Sequence, residues 1–312
     1  MTNLPINNLY LPEGLRPLSA YDIAVLRSAQ DNGTILEGTV LRCGVDRTLH
    51  VSLGSTEGII PREEALSPWI SGAGRDISLL TCVGNPVCFC VTAIEADQRG
   101  APRVLLSRRQ AQETAKSYFL KHYTPGTVIA ARITHLENFG AFVDIGCGII
   151  AMLPIENISI SRIQHPAQRF RVGQKILAVI AAADPSIPRF TLSHKELLGT
   201  WLENASLFQP GETVPGIIRA VKDYGCFVEL TPNLSGLAEW KDGVVPGDRV
   251  SVYIKSIRPE RMKIKLQIIR TLPPENTPSP PHYQITDGEI RHWTYSPPNC
   301  EKPVMETVFT SP

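Results

Sequence analysis

The seven cysteines fall in no useful pattern: their number is odd and none forms a Cys-x-x-Cys pair. That excludes the usual disulfide framework and the usual structural zinc site, and the simplest compartment is the reducing cytoplasm. Long hydrophobic runs are missing too. The longest is Ile176 to Ala183, against the ~20 residues of a membrane helix, so no membrane partner is expected. The first residues, Met1 to Pro5, show neither the basic start nor the apolar core of a signal peptide. Neither sign of charge dominates, with 31 Lys and Arg against 30 Asp and Glu and a net charge of +1. With 20% charged and 43% hydrophobic residues, a disordered polyelectrolyte is excluded. The 312 residues suggest two or three domains. The 26 Pro and 23 Gly point to many turns and few long helices.

Signals of catalysis are equally thin. No Ser sits on a Gly-x-Ser-x-Gly elbow, and the Gly72 to Gly74 stretch lacks the Lys-Ser/Thr ending of a phosphate loop. Cys82, Cys88 and Cys90 have no nearby His or Cys to complete a tetrahedral set and read as small core residues. The histidines are scattered. An enzyme is not expected, nor a cofactor, a metal or a small-molecule substrate.

What is present is a repeat. Pro125 to Ile145 and Pro210 to Leu230 match over 21 positions without a gap, and a weaker copy runs from Gly33 to Gly54. The copies start 93 and 85 residues apart, too long for solenoid units, so each reads as a small domain. Strands are predicted in the second copy at 128–136, 141–145, 149–153, 173–180 and 189–193. Ala141, Val143 and Ile145 alternate with Phe142 and Asp144. Five short strands with one long connection between the third and fourth fit an OB-type Greek-key barrel. The fold class is therefore all-β: three tandem five-stranded OB-type barrels joined by short helical linkers at 110–121 and 196–207. The expected units are an N-terminal segment at 1–32 with a helix over 20–30 capped by Ser19, and barrels at 33–109, 123–197 and 210–270. A Pro-rich linker and acidic tail follow at 271–312, in which Trp293, Tyr295 and Phe309 are available to form a hairpin or to dock.

Positive charge gathers on two of the units. Barrel two has seven basic and five acidic residues, barrel three ten and seven, barrel one eight and eight, and the tail two and five. The same two barrels carry aromatics with no local burial to explain them. Phe142 points away from the core-facing side of its strand, Phe139 precedes the Gly140 turn, and Tyr224 and Phe227 repeat the arrangement. Exposed aromatics on a barrel face are what stacking on unpaired bases requires, at roughly 1–3 kcal/mol per base. Arg132, Arg189, Arg219, Lys222, Arg261 and Lys263 are the candidates to follow the phosphates. Arg47 and His50 hold the corresponding places in barrel one and make a weaker platform.

Phe139-Gly140-Ala141-Phe142-Val143-Asp144-Ile145 and Tyr224-Gly225-Cys226-Phe227-Val228-Glu229-Leu230 resemble the RNA-binding domain named after ribosomal protein S1. Gly173 to Ile176, Arg189 to Ser193 and Glu57 to Glu64 fit the same domain. The chain resembles a short, three-copy member of the bacterial ribosomal protein S1 family. The resemblance implies a protein that binds single-stranded mRNA and brings it to the small ribosomal subunit. It also implies a His on the third strand, but Pro61, Pro154 and Glu239 stand there. The family's Asp before the fifth strand matches Asp184, and its Arg matches Arg189 and Arg261. Leading copies in longer members contact the ribosome, which implies a protein-docking role for 33–109. Two other readings stay open: an RNA-binding accessory of RNA decay or transcription, and a protein-interaction scaffold without direct RNA binding.

Overall fold

The computed structural model describes residues 10–17, 19–54, 56–67, 75–96, 100, 102–184, 189–274 and 280–310. The Gly72 to Gly74 stretch weighed above lies outside them.

The first barrel follows helix α1 (Ile23–Asn32) and contains β1 (Leu36–Cys43), β2 (Leu49–Ser52), β3 (Glu57–Ile60), helix α2 (Arg75–Leu80), β4 (Pro86–Ala96) and β5 (Pro102–Ser107). Helix α3 (Arg108–His122) leads into β6 (Val128–Glu137), β7 (Gly140–Asp144), β8 (Ile150–Pro154), β9 (Lys175–Asp184) and β10 (Arg189–Ser193). Helix α4 (Trp201–Ala205) leads into β11 (Thr213–Lys222), β12 (Gly225–Thr231), β13 (Leu234–Ala238), β14 (Arg249–Arg258) and β15 (Lys263–Thr271). Each set of five closes into a barrel with the same order, first strand to second, third, fifth and fourth. The third and fifth strands pair in parallel and the other neighbours antiparallel. In each barrel the described strands all have a paired neighbour on both sides. The expected all-β architecture of three tandem OB-type barrels is the one found.

Alternation builds each core. Ala141, Val143 and Ile145 are buried, as are Cys226 and Val228. Cys88, Cys90 and Cys147 are buried among the apolar residues of the second core. A hydrogen bond with the neighbouring Cys147 thiol, then burial and the nearby carboxyl groups, push the Cys88 thiol well up, so it behaves as a small apolar group.

Two local expectations change. Asp22, not Ser19, caps α1: its carboxylate accepts from the Val25 N–H at 2.7 Å, so the helix starts at Ile23 rather than Ala20. The second linker is not one helix. A 3-10 turn at Lys195–Leu198 is broken by Gly199 at φ +84°, and α4 restarts from Thr200 with a capping box to Glu203.

Long-range polar contacts join the barrels. The segment at 10–17 meets both of the first two: the Cys88 N–H donates to Glu13 at 3.0 Å and the Glu13 N–H to Asp144 at 2.7 Å. Arg108 grips the Glu13 carboxylate twice, at 2.9 and 2.8 Å. Between the second and third barrels, Glu229 accepts from both Arg169 and Arg219, with Arg219 Nε at 2.7 Å. The tail docks. A hairpin of β16 (His292–Thr294) and β17 (Glu306–Val308) packs Trp293, Tyr295 and Phe309 into the third core.

Candidate nucleic-acid interface

The outward face of each barrel is a row defined by strand register. In the second barrel His135 opposes Phe142, Phe142 opposes Met152, and Met152 opposes Thr191. In the third the row is Ala220, Phe227, Leu237 and Lys265. In the first it is Arg42, His50, Ile59 and Leu105. A β-bulge at the same place in each first strand, between Ile133 and His135 and its equivalents, bends the strand beneath the row.

The aromatic pairs are duplicated in three dimensions. Phe139 and Phe142 lie with ring centroids 6.1 Å apart and planes at 90°, and Tyr224 and Phe227 at 6.1 Å and 87°. Edge-to-face contact keeps the two rings of each pair from stacking on each other. Phe139 is 57% exposed and Tyr224 68%. The intervening glycine is fixed sterically. A Cβ on Gly140 would sit 2.4 Å from the Leu153 carbonyl oxygen, and one on Gly225 would sit 2.3 Å from that of Ala238. The third strand therefore crosses closely under the turn, and the aromatic before each glycine is lifted beside its partner.

The predicted cations divide. Arg189 is exposed at the start of β10, two residues before Thr191 in the row, and Lys263 stands likewise two residues before Lys265. Lys222 is exposed beside Tyr224. Arg132 is not on offer: it is half-buried and donates to the Glu13 carbonyl at 2.8 Å in the seam between the first two barrels. Arg219 is buried on Glu229. Arg261 is exposed, but its Nε donates to Glu301 of the tail at 2.9 Å. Of the substitutes for the third-strand His, Pro154 faces Gly140 at the end of β8. Glu239 is held 2.8 Å from Lys255, whose ammonium keeps its carboxyl below the usual range. The Asp184 side chain lies outside the described residues; its backbone pairs with Arg189.

Barrel one lacks the platform. Arg47 sits with φ +65° in the loop between β1 and β2, off the row. His50 occupies the row where Phe142 stands in barrel two, but its Nδ1 meets Glu57, which Arg42 also contacts at 3.2 Å. A carboxylate there repels phosphate.

His135, Met152 and Lys265 belong to the rows and were not anticipated. His135 is hidden by the bulge, which shifts the two-residue phase. Its ring lies 6.2 Å from Phe142 at 31° and its Nε2 meets Glu137 at 2.7 Å. Met152 and Lys265 were recoverable from two-residue spacing to Pro154 and Lys263. Among the described residues no cluster of three or more His, Cys, Asp or Glu is placed to hold a metal, and no helix is long and apolar enough to cross a membrane.

The chain is similar to known proteins over much of its length. The family model described as the S1 RNA binding domain matches residues 122–195. Small ribosomal subunit protein bS1 of Staphylococcus aureus is 28% identical over 267 residues, 80% of this chain and 65% of the relative. That of Chlamydia muridarum is 29% identical over 198 residues, 59% of this chain and 34% of the relative. The chain thus spans just under two thirds of the Staphylococcus aureus relative's length. A multidomain protein with nucleic acid binding domains from Streptococcus pneumoniae overlaps 76% of this chain and 73% of its own, at 15% identity and a TM-score of 0.26. The fold assignment rests on strand pairing rather than on that overlap. Residues 122–195 match the model of the S1 RNA binding domain, and over 80% of its length the chain is similar to small ribosomal subunit protein bS1.

Proposed function

We propose that the chain binds single-stranded RNA in translation, holding mRNA at the small ribosomal subunit. The observation that carries this reading is the aromatic pair repeated with the same spacing and angle on two barrels. Phe139, Phe142, Tyr224 and Phe227 stack on unpaired bases, each stack contributing roughly 1–3 kcal/mol. Arg189, Lys222 and Lys263, joined by Lys265, meet the phosphates. Barrel one, with His50 and Arg42 on Glu57 instead of aromatics, serves as the docking module toward the ribosome. The names of the relatives support that partner and a cytoplasmic site of action. The protein works by binding, not by catalysis, and without a cofactor.

The test is equilibrium binding of a labelled RNA oligonucleotide. Single-stranded RNA should bind with affinity falling about fiftyfold between 50 and 200 mM salt, as ~4 phosphate contacts to a single strand dictate, and duplex RNA should not displace it. Equal competition by duplex, or no binding, contradicts the reading. Sedimentation from lysate after mild RNase treatment then separates direct docking on the small subunit from attachment through RNA.

A further inference from the structure

The third barrel's aromatic pair, exposed on the outer face, also borders a cleft. The cleft, of about 490 Å³, lies at the meeting of three parts of the chain. Tyr224 and Phe227 come from the barrel, Arg162 from the connection between β8 and β9, and Lys302 and Met305 from the loop between the two strands of the tail hairpin. Lys222 lines the same cleft. The volume is in the range of small-ligand sites. Its chemistry suits a nucleotide: two aromatic rings and a thioether for a base, and three cations for its phosphates.

The tail wall is anchored. The Glu301 N–H donates to the Glu260 carbonyl at 2.8 Å, and its carboxylate accepts from Arg261 at 2.9 Å. The Met305 N–H donates to Ser296 at 2.9 Å, and its carbonyl accepts from Tyr295 N–H at the same distance. Tyr295 in turn donates its hydroxyl to the Asn233 carbonyl. The side chains of Lys302 and Met305 remain exposed. The net acidic tail thus places one of its two basic residues at the cleft.

We infer that the C-terminal hairpin is part of the RNA site: it walls a pocket that seats one unpaired nucleotide, the base against Phe227 and Met305 and the phosphate on Lys222, Lys302 and Arg162. This rests on the RNA-binding reading above and adds that the second and third barrels are not equivalent. Among the described residues, the tail wall stands beside the third barrel's aromatic pair. Glu301 takes Arg261 out of the phosphate track, and Lys302 supplies the replacement.

The test uses the full chain and a labelled ten-nucleotide single-stranded RNA. Wild type is compared with Lys302→Glu/Met305→Ala, with Phe227→Ala, and with Lys121→Glu, an exposed charge reversal on α3. The double variant should bind about tenfold more weakly and show a log–log salt slope smaller by about one, while Lys121→Glu stays within about twofold. Binding by the double variant at wild-type strength, with Phe227→Ala weakened, overturns the tail wall and leaves RNA binding on the barrel faces intact. Wild-type strength in Phe227→Ala contradicts the underlying reading as well. Photocross-linking of 4-thiouridine RNA to wild type gives a second readout independent of substitution: adducts within 300–305 are expected, and adducts confined to barrel-face residues overturn the proposal.

Discussion

His194 and Tyr283 lock the tail to the second barrel through a single neutral tautomer. The His194 Nδ1–H donates to the Ile158 carbonyl at 2.9 Å, so Nε2 is left to accept from the Tyr283 hydroxyl at 3.2 Å. The Leu177 N–H completes the chain by donating to the Tyr283 oxygen at 3.0 Å. Protonating Nε2 would set two donors against each other in a buried site. Burial pushes the His194 pKa down to about 4.

A pH dependence follows with a defined sign. A depressed histidine pKa contributes stability above the unfolded value near 6.5, which is lost as pH falls toward 4. Asp144 acts in the opposite sense. Burial and the nearby Glu13 carboxylate raise it to about 8, so its contribution is greatest in acid and is lost as pH rises through that value. The two overlap, so the readout is a difference. Urea midpoints of wild type and His194→Gln should be well separated at pH 7 and converge between pH 6.5 and 4. A separation that stays constant over that window contradicts the account.

Glu13 is the hub of the seam between the first two barrels. Glu13→Ala leaves the buried Arg108 guanidinium without its carboxylate, and breaking a buried pair from one side costs about 3–5 kcal/mol. Urea unfolding should show a loss in that range, with earlier tryptic cleavage in α3. A loss below about 1 kcal/mol would mean that the pair is solvated in solution.

Gly140→Ala and Gly225→Ala should each destabilise by about 1–3 kcal/mol. Either Cβ would run into the carbonyl oxygen of the strand beneath it. Because the same contact sets the height of Phe139 or Tyr224, each variant should also weaken RNA binding more than its stability loss explains. Unchanged thermal midpoints would show that the crossing is looser than described.

How much of this was legible in the sequence depends on range. The barrels were readable because two-residue alternation and a repeated aromatic-Gly-x-Phe motif are local. The strand at Arg189–Ser193 sits where alternation placed it. The aromatic pairs were readable for the same reason. The fate of the cations was not. Arg132 is turned aside by a carbonyl 119 residues away, and Arg261 by a carboxylate 40 residues away. His135 was masked by a bulge that resets the phase within β6. The Pro-rich composition after Thr271 signalled a linker, but it could not show that the hairpin beyond it returns to the third barrel.

The measurement that bears most directly on the central claim is single-stranded RNA binding by Phe142→Ala/Phe227→Ala, with thermal stability read alongside. Both side chains lie on the outer faces and are only half-buried. The account predicts affinity at least about tenfold weaker, as the loss of two base stacks requires, with a thermal midpoint nearly unchanged. Unaltered affinity, or barrels that unfold in place of losing RNA, would contradict it.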